Sequence, residues 1–531
     1  MKSNFLSGAA ALLVSLPLLS GTAALAETTE MDSGLVLTQK SLLERLVQDN
    51  AQARFSRVQA DIAQAQIDFA SGVYQPSFFS TMRYTDQQVA NSAEDEATGR
   101  SQGNTTTFDE RRAELDFGVS APLKTGGELS LSFTGLERDN TFTEELTPGA
   151  SEYVGGVDAR LSQPLWRNFM ARESKMAIEQ AEVGHERSLL ENRQTLLEVA
   201  FQGLRQYWLV YRRAQFRDID AVALRTAQDT VTIAEQLVDA GIQPPLAAME
   251  VEARVIEREA ELRRSVTDLK EAQADLATLL NVEQGEGVRI EGMDQPESRL
   301  IERPDSLTLY ATRVLAQWPE FRVTRLTRTI ESLQLDLARE TGKPAVDFIV
   351  GYSTSALDRD RNDAWDDSFS SQNPSWYAGV ELNVKLGADK QAQAQANAAS
   401  MRMMQADIDA DSIRVNVLNR LRTRLEQAES AHEQMQLMSR REALQQAIYK
   451  EQERQFEAGR IPANALHDSM DDLVEIQRRA VDARVTYQLS LIALRLVEGS
   501  LFDEYGLSEL VDDDVLPANS PRLEFVEADR L

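Results

Sequence analysis

Long stretches with helical spacing of apolar residues dominate the chain, and shorter stretches of a different period separate them. The helical spacing predicts a helix over residues 36–73, which Gly72 and Pro76 end. Residues 172–240 contain no proline and predict an uninterrupted helix about 100 Å long. Two prolines open the next predicted helix, over residues 245–281, because proline suits the first helical turn.

The same order of helices returns in the second half of the chain. A linker rich in glycine, proline and acidic residues is predicted over residues 285–304. The helix predicted over residues 305–341 is interrupted by Pro319. A second helix of about 100 Å is predicted over residues 389–458, where neither proline nor glycine occurs, and a return helix over residues 463–497 follows it.

Between the helices, the spacing of apolar residues changes to every second position. Four strands are predicted within residues 78–165, and two more over residues 345–356 and 376–386. Each strand has one apolar and one polar face, as Phe117 alternates with Asp116. Such strands suit a transmembrane barrel with lipid on the apolar side, and they also suit a sandwich that buries this side in a core. Long polar loops that alternate with a tight Thr-Gly-Gly turn favour the barrel.

Two similar turns mark an internal repeat with an offset of 218 residues. Each turn contains Ala-Gly, then a proline three residues after the glycine: Ala240, Gly241 and Pro244, and again Ala458, Gly459 and Pro462. Each turn follows one of the two longest predicted helices. The chain is therefore predicted to contain two copies of one long helical hairpin, which pack as a coiled coil.

The N-terminus predicts an exported protein. A basic start, a short apolar core and small residues before Ala26 are typical of a secretory signal peptide over residues 1–26, cleaved after Ala26. The chain contains no cysteine, and residues 501–531 are predicted to be a loosely held acidic tail. The net charge of −29 argues against nucleic acid as a partner. A mutually repelling surface explains this charge, and so does an acidic lumen that favours cations.

The order helix, strands, long helix, turn, helix occurs twice within residues 35–500 and resembles the TolC family of outer-membrane efflux proteins. A proline eight residues before a tyrosine in each half adds to the resemblance, at Pro76 and Pro344. The resemblance implies an α+β fold and a homotrimer. Transmembrane strands from three chains would form one shared barrel in the outer membrane, and the duplicated helical hairpins would form one tunnel through the periplasm.

The function that the resemblance implies is a passive exit duct in the outer membrane of a Gram-negative cell. Drugs, or proteins exported by type I secretion, would reach it from an inner-membrane pump through a periplasmic adaptor protein, while lipid surrounds its barrel. No cofactor is expected, and the chain is not expected to be an enzyme. The three histidines, His185, His432 and His467, lack the spacing of metal ligands.

The first half departs from the family, whose members usually bring two strands per half. The additional predicted hairpin covers about residues 114–137. It either joins the barrel, which gives eighteen strands per trimer, or projects from it. Two other classes of protein remain as alternatives for the chain: an exported coiled-coil scaffold or adhesin without a pore, and a monomeric porin. The two long helices count against the porin.

The resemblance also implies a gate formed by carboxylates just after the second turn. By offset from Gly459, Asp468 occupies one such position, and Asp471 and Asp472 lie one turn further. Three Asp468 side chains around one axis would repel one another and attract cations. The alternative is that Asp468 is an ordinary acidic residue near a helix N-terminus.

Arg460 and Phe456 lie near the positions at which the family closes its tip through contacts between helices. The corresponding positions of the first half are the apolar Leu246 and Ala247, so the ion pair of the family is not retained. Glu250 is predicted as a substitute partner for Arg460. The alternative is that Arg460 is a solvated turn residue.

Two further sets of residues carry predictions. The resemblance implies that the turns at Ala240, Gly241, Pro244, Ala458, Gly459 and Pro462 dock the adaptor, although glycine is also explained by turn geometry alone. Trp166, Trp376 and Tyr377 flank strand ends, where they are predicted to form aromatic girdles at the membrane interface. Packing in the interior is the alternative for these three aromatic residues.

Overall fold

The computed structural model describes residues 35–90, 107–141, 151–282, 288–290, 304, 306–370, 373–387 and 389–512. The predicted signal peptide with its cleavage site at Ala26, and residues 513–531 of the predicted tail, lie outside the described residues. The predicted α+β class is confirmed, with long helices and one large antiparallel sheet.

The first half begins with a short strand and two helices, continues with four strands, and ends in a long helix and its return helix. In chain order these elements are β1 (Leu35–Leu37), α1 (Gln39–Asp49), α2 (Ala51–Ser71), β2 (Ser77–Ala90), β3 (Thr107–Pro122), β4 (Glu128–Asn140), β5 (Glu152–Pro164), α3 (Arg172–Asp239) and α4 (Pro245–Leu279). Short 3-10 turns at Gly72–Tyr74 and Phe169–Ala171 join helices to strands.

The second half repeats this order with two strands in place of four. Its elements are β6 (Val288–Ile290), α5 (Leu307–Gln317), α6 (Pro319–Thr341), β7 (Ala345–Asp358), α7 (Arg361–Ser368), β8 (Pro374–Asn383), α8 (Lys390–Glu457), α9 (Ala463–Glu498), α10 (Leu501–Glu504) and α11 (Ser508–Asp512). The chain breaks between α5 and α6 at Pro319, as its ring requires.

The two longest helices, α3 and α8, have 68 residues each, so each is about 100 Å long. Helix α3 packs along α4, and α8 packs along α9 and α6. Gly203 allows α1 to approach α3 closely, because a Cβ atom there would lie 2.0 Å from Cδ1 of Leu46. The largest buried cluster surrounds this contact and includes Tyr207 and Trp208. None of the helices in the described ranges has an apolar stretch of the length that a membrane span requires.

The prediction of one helix over residues 36–73 is wrong, because Asn50 divides it into α1 and α2. The Asn50 side chain accepts hydrogen bonds from the backbone N–H groups of Gln52 (2.9 Å) and Ala53 (3.2 Å) and so caps the N-terminus of α2. Its amide also donates to the carbonyl of Leu279 (2.7 Å), which holds the break against the end of α4. Residues 35–37 form β1 rather than the start of a helix.

The predicted tail and linker also need correction. Residues 501–512 are not loose, because Leu501, Phe502 and Val511 from α10 and α11 are buried in the largest core cluster. Within the predicted linker, residues 288–290 form β6, which pairs with β1 in parallel. The region between the strands of the second half contains a helix, α7, where only a polar loop was expected.

The six long strands form one antiparallel sheet in the order β2-β3-β4-β5-β7-β8. The additional hairpin predicted near residues 114–137 is β3-β4, and it lies inside the sheet between β2 and β5. It therefore does not project from the sheet of this chain. Strands β2 and β8 are the two edges.

Candidate functional site

The two Ala-Gly turns form the same structure at the far ends of the long helices. We call residues 240–244 and 458–462 the first and second tip turns. Gly241 and Gly459 have φ angles of 68° and 66°, in the left-handed region that glycine tolerates. In each turn the N–H after the glycine donates to a carbonyl five residues earlier: Ile242 to Leu237 (2.9 Å) and Arg460 to Gln455 (2.9 Å). Both helices therefore end in a Schellman motif.

The two tip turns pack against each other around Phe456. The Phe456 side chain is fully buried, in a cluster with Leu237, Val251 and Leu466. The Gln243 amide donates to the carbonyl of Ile461 (3.2 Å). Phe456 thus holds the two repeats together at the tip, and it does so from the interior rather than from an exposed gate surface.

Gly459→Val is expected to weaken the contact between the tip turns more than Gly241→Val does. The φ angles of both glycines are nearly equal, so both changes carry backbone strain of about 1–2 kcal/mol. A Cβ at Gly459 would lie 2.8 Å from Cγ2 of Ile242, whereas nothing lies within 4 Å of a Cβ at Gly241. Limited proteolysis of the tips would measure the difference, and equal protection in both variants would contradict this packing.

The structure separates the three carboxylates predicted for the gate. Asp468 and Asp472 are exposed on one stripe of α9, whereas Asp471 faces α4. There the guanidinium of Arg258 donates to Asp471 and also to Glu261 (2.7 Å). The Arg258 side chain is buried, so this ion pair ties the return helix of the first repeat to that of the second.

The predicted pair of Arg460 with Glu250 is not formed, although both residues lie in the described part of the chain. Both side chains are exposed at the tip turns. Ile242, Leu246 and Met249 are exposed as well, with 58%, 61% and 66% of their surfaces accessible, and they give the first tip turn and the start of α4 an apolar surface.

His467 lies beside the Arg258 ion pair. Burial and the nearby cation of Arg254 lower the pKa of His467 below its ordinary value. The imidazole therefore stays neutral at neutral pH and adds no third positive charge next to Arg254 and Arg258. His432 packs edge-on to Tyr487 at 5.0 Å. Within the described ranges, no group of three or more His, Cys, Asp or Glu side chains is placed to hold a metal ion.

A second ion pair between the repeats lies further from the tip. Asp220 of α3 is almost completely buried, and the guanidinium of Arg478 on α9 donates to it at 2.5 Å. The other carboxylate oxygen of Asp220 has no hydrogen-bond partner among the residues that the structure describes. Sequence analysis missed Asp220, Arg258 and Arg478. Heptad spacing gives one signal, because Arg258 stands seven residues from the buried Val251 and Ser265.

The sheet is apolar on one face across all six strands, and we call this the apolar face. The pairing of strands places these residues on it: Phe78, Met82, Leu115, Phe117, Val119, Leu129, Leu131, Phe133, Val157, Leu161, Phe348, Val350, Tyr352, Trp376, Val380 and Leu382. The opposite, polar face carries Arg83, Glu114, Asp158 and Arg160. Glu114 pairs with Arg112 at 3.3 Å on that face.

The predicted aromatic girdle is divided between the two faces. Trp376 lies on the apolar face, opposite Tyr352, at the end of the sheet away from the long helices. Trp166 lies beyond β5, at the end near the long helices, and is exposed. Tyr377 is on the polar face, where its ring covers Gly351, because neighbouring strand residues point to opposite faces. Tyr377 therefore does not share the apolar face with Trp376, and a girdle stays a prediction for these aromatic residues.

Helix α7 covers part of the apolar face. Trp365 packs edge-on to Phe133 at 5.6 Å, and Phe369 stacks on the same ring at 5.7 Å. Gly135 and Gly155 provide the space, since a Cβ at Gly155 would lie 2.6 Å from the carbonyl oxygen of Ala364. Sequence analysis did not find this contact.

Comparison with known proteins agrees with this architecture. Residues 311–500, from α5 to the end of α9, match the family model described as outer membrane efflux protein. The resemblance predicted from the repeat is thereby confirmed. No match was found among curated proteins.

Solved structures of outer membrane proteins share the fold of most of this chain. CusC has 15% sequence identity and a TM-score of 0.64, with 88% of this chain and 92% of CusC covered. The Campylobacter jejuni outer membrane channel CmeC has 12% identity and a TM-score of 0.63, with 94% and 97% covered. The Vibrio cholerae outer membrane protein VceC has 14% identity and a TM-score of 0.61, with 87% and 96% covered.

Proposed function

We propose that this protein is an outer-membrane exit duct of a tripartite export system. Three copies would assemble around one axis, with their sheets in the outer membrane and their long helices in the periplasm. Drugs or secreted proteins would pass through passively, because an inner-membrane pump supplies the energy. The chain itself would catalyse no reaction and bind no cofactor.

The observation that carries the proposal is the joined pair of sheet and helices. A sheet with an apolar face across six strands can meet lipid, while its charged face lines water. Two helices of about 100 Å extend from the same sheet and reach far beyond a bilayer. A scaffold or adhesin would not need the apolar face, and a porin would not need the helices.

The tip turns are the proposed contact with the periplasmic adaptor. Both are exposed, and the first, with the start of α4, carries the apolar side chains of Ile242, Leu246 and Met249. Exposed apolar groups at a helical tip suit a partner that presents its own apolar helix ends. The six turn residues Ala240, Gly241, Pro244, Ala458, Gly459 and Pro462 would set the shape of this contact.

The exposed stripe of α9 is the proposed lining of the periplasmic aperture. Asp468 and Asp472 lie one helical turn apart on it, and both are exposed. Three copies would bring six carboxylates to one axis and favour cations over anions. Asp471 instead holds Arg258, so its role is to keep the return helices together.

Planar-bilayer recording of the purified mature protein tests the proposed function. The expected result is discrete conductance steps with cation selectivity in a salt gradient, because the polar face and the tip are rich in carboxylates. Asp468→Asn is expected to lower the ratio of cation to anion permeability without abolishing the steps. If the protein has intact helices but does not insert into lipid bilayers, the result would contradict the duct and favour the scaffold.

A further inference from the structure

The two edges of the sheet are open in a single chain. Every residue of β8 is exposed, and so is every residue of β2 except Thr85. An unpaired strand edge is not tolerated in the hydrocarbon of a membrane, because its N–H and C=O groups would lack partners. A second copy of this chain can supply the partner, because β8 of one copy can pair with β2 of the next.

The directions of the two edges agree with this pairing. Strand β2 runs away from the helices that precede it, and β8 runs back toward the long helix α8. Placed side by side, β2 of one copy and β8 of the next are antiparallel, like every other pair in the sheet. All six strands therefore fit into a closed barrel without a change of direction.

The register of the sheet determines how far β8 is displaced from β2 along the direction of the strands. Following paired residues straight across from Ser77 leads through Ser120, Ser130, Arg160 and Gly351 to Tyr377. Tyr377 lies six residues before Asn383, the end of β8. If the helix-side ends of β2 and β8 lie level, the displacement is one residue per strand. With ordinary strand spacings this gives a tilt of about 35°, which is usual for barrels.

We propose that three copies close an eighteen-stranded barrel in which Ser77 of one copy lies opposite Asn383 of the next, an arrangement that rests on the proposed function. In this register Phe78 faces Leu382, Met82 faces Ala378 and Tyr84 faces Trp376 across the boundary, all on the apolar face. These side chains are exposed in the single chain, as expected for groups that meet lipid and a neighbour.

Other registers fit less well. A shift of one residue would place the apolar face of β2 beside the polar face of β8. A displacement smaller by two residues flattens the tilt to about 25°, below the usual range. A displacement larger by two residues pairs Ser77 with Lys385, which lies beyond the end of β8.

The consequence is a wide passage in the outer membrane. An eighteen-stranded barrel of this tilt has a backbone diameter of about 33 Å, against about 22 Å for twelve strands. The charged residues of β3 on the polar face, such as Glu114 and Asp116, add to its water-filled wall. The hairpin β3-β4 therefore determines the width of the duct at the outer membrane.

Cysteine pairs test the inference, because the chain has no cysteine of its own. Thr81→Cys with Gly379→Cys is expected to form disulfide-linked trimers in membranes, since the two residues face each other between copies. A Cβ at Gly379 meets open space, so the change is tolerated. Thr85→Cys with Gly379→Cys is the matched control, because its two cysteines are displaced by four residues or about 13 Å. Its trimers are expected to form no disulfide between copies.

A second pair tests whether the hairpin belongs to the barrel. Ser132 of β4 lies opposite Asp158 of β5, so Ser132→Cys with Asp158→Cys is expected to link within one chain of the assembled trimer. Channels that form trimers but fail to make this link would overturn the eighteen strands and leave the duct intact. Trimers that link only in the displaced control would overturn the register. A protein that neither inserts nor trimerises would contradict the proposed function itself.

Discussion

Arg258→Met is expected to loosen the tip of the tunnel and raise the conductance of the protein in planar bilayers. Arg258 is buried between α4 and α9 and bonds to Glu261 and Asp471. Without its cation, these two carboxylates and nearby Glu257 would repel one another, so the return helices of the two repeats would separate. Methionine retains most of the apolar volume, which limits the change to the charge.

Arg263→Met is the matched control on the same helix. Among the described residues, Arg263 bonds to Glu259 of its own helix at 2.6 Å and to no acidic side chain of another helix, and its side chain is 79% exposed. An exposed pair of this kind contributes about 0.5 kcal/mol or less, so little change in conductance is expected. Asp471→Asn in the Arg258→Met background removes one of the repelling carboxylates, so the conductance is expected to return part of the way to that of the unmodified protein. Equal conductance in Arg258→Met, Arg263→Met and the unmodified protein would show that the Arg258 ion pair does not hold the tip.

The periodicity of the sequence predicted the long elements of the fold because they are long. Sixty-eight residues with helical spacing and no proline favour one continuous helix for α3. Alternation of apolar and polar residues over ten or more positions favours a strand in the same way. The break at Asn50 escaped prediction because asparagine is tolerated inside helices. Its capping role depends on the approach of Leu279, 229 residues away.

Short elements depended on contacts that the sequence does not display. Helix α7 has eight residues and four of the six central side chains are polar or acidic, so it has no apolar stripe of its own. It forms where Trp365 packs against Phe133, and the absence of side chains at Gly135 and Gly155 leaves room for it. Residues 501–512 lie in the predicted acidic tail, yet four apolar side chains, those of Leu501, Phe502, Leu507 and Val511, fix the segment in the core.

The candidate site was predicted in position but not in its contacts. The Ala-Gly turns located the tip, since glycine at a positive φ ends a helix. The ion pairs that hold it join α3 and α4 to α9, and only the packed structure shows that Asp471, rather than Asp468 or Asp472, faces Arg258. The separation of Trp376 from Tyr377 was predictable from strand geometry alone.

Arg478→Met is expected to lower the free energy of unfolding by about 3 kcal/mol. Asp220 is 1% exposed, and Arg478 is its hydrogen-bond donor. Removing the guanidinium would leave a buried, ionised carboxylate without this hydrogen-bond donor. The ring of Phe216, which lies 5.5 Å from the Arg478 guanidinium, would lose its cation as well.

Asp220→Asn separates this explanation from a loss of packing. The amide carries no charge, so Asp220→Asn in the Arg478→Met background is expected to recover most of the stability lost. Denaturant unfolding, followed by the circular dichroism of the helices, measures Arg478→Met, Asp220→Asn and the double variant. Arg254→Met serves as the control for an exposed ion pair near the same surface. A double variant as unstable as Arg478→Met alone would mean that the arginine stabilises α9 through its apolar stem. In that case the second tie between the repeats would be packing rather than charge.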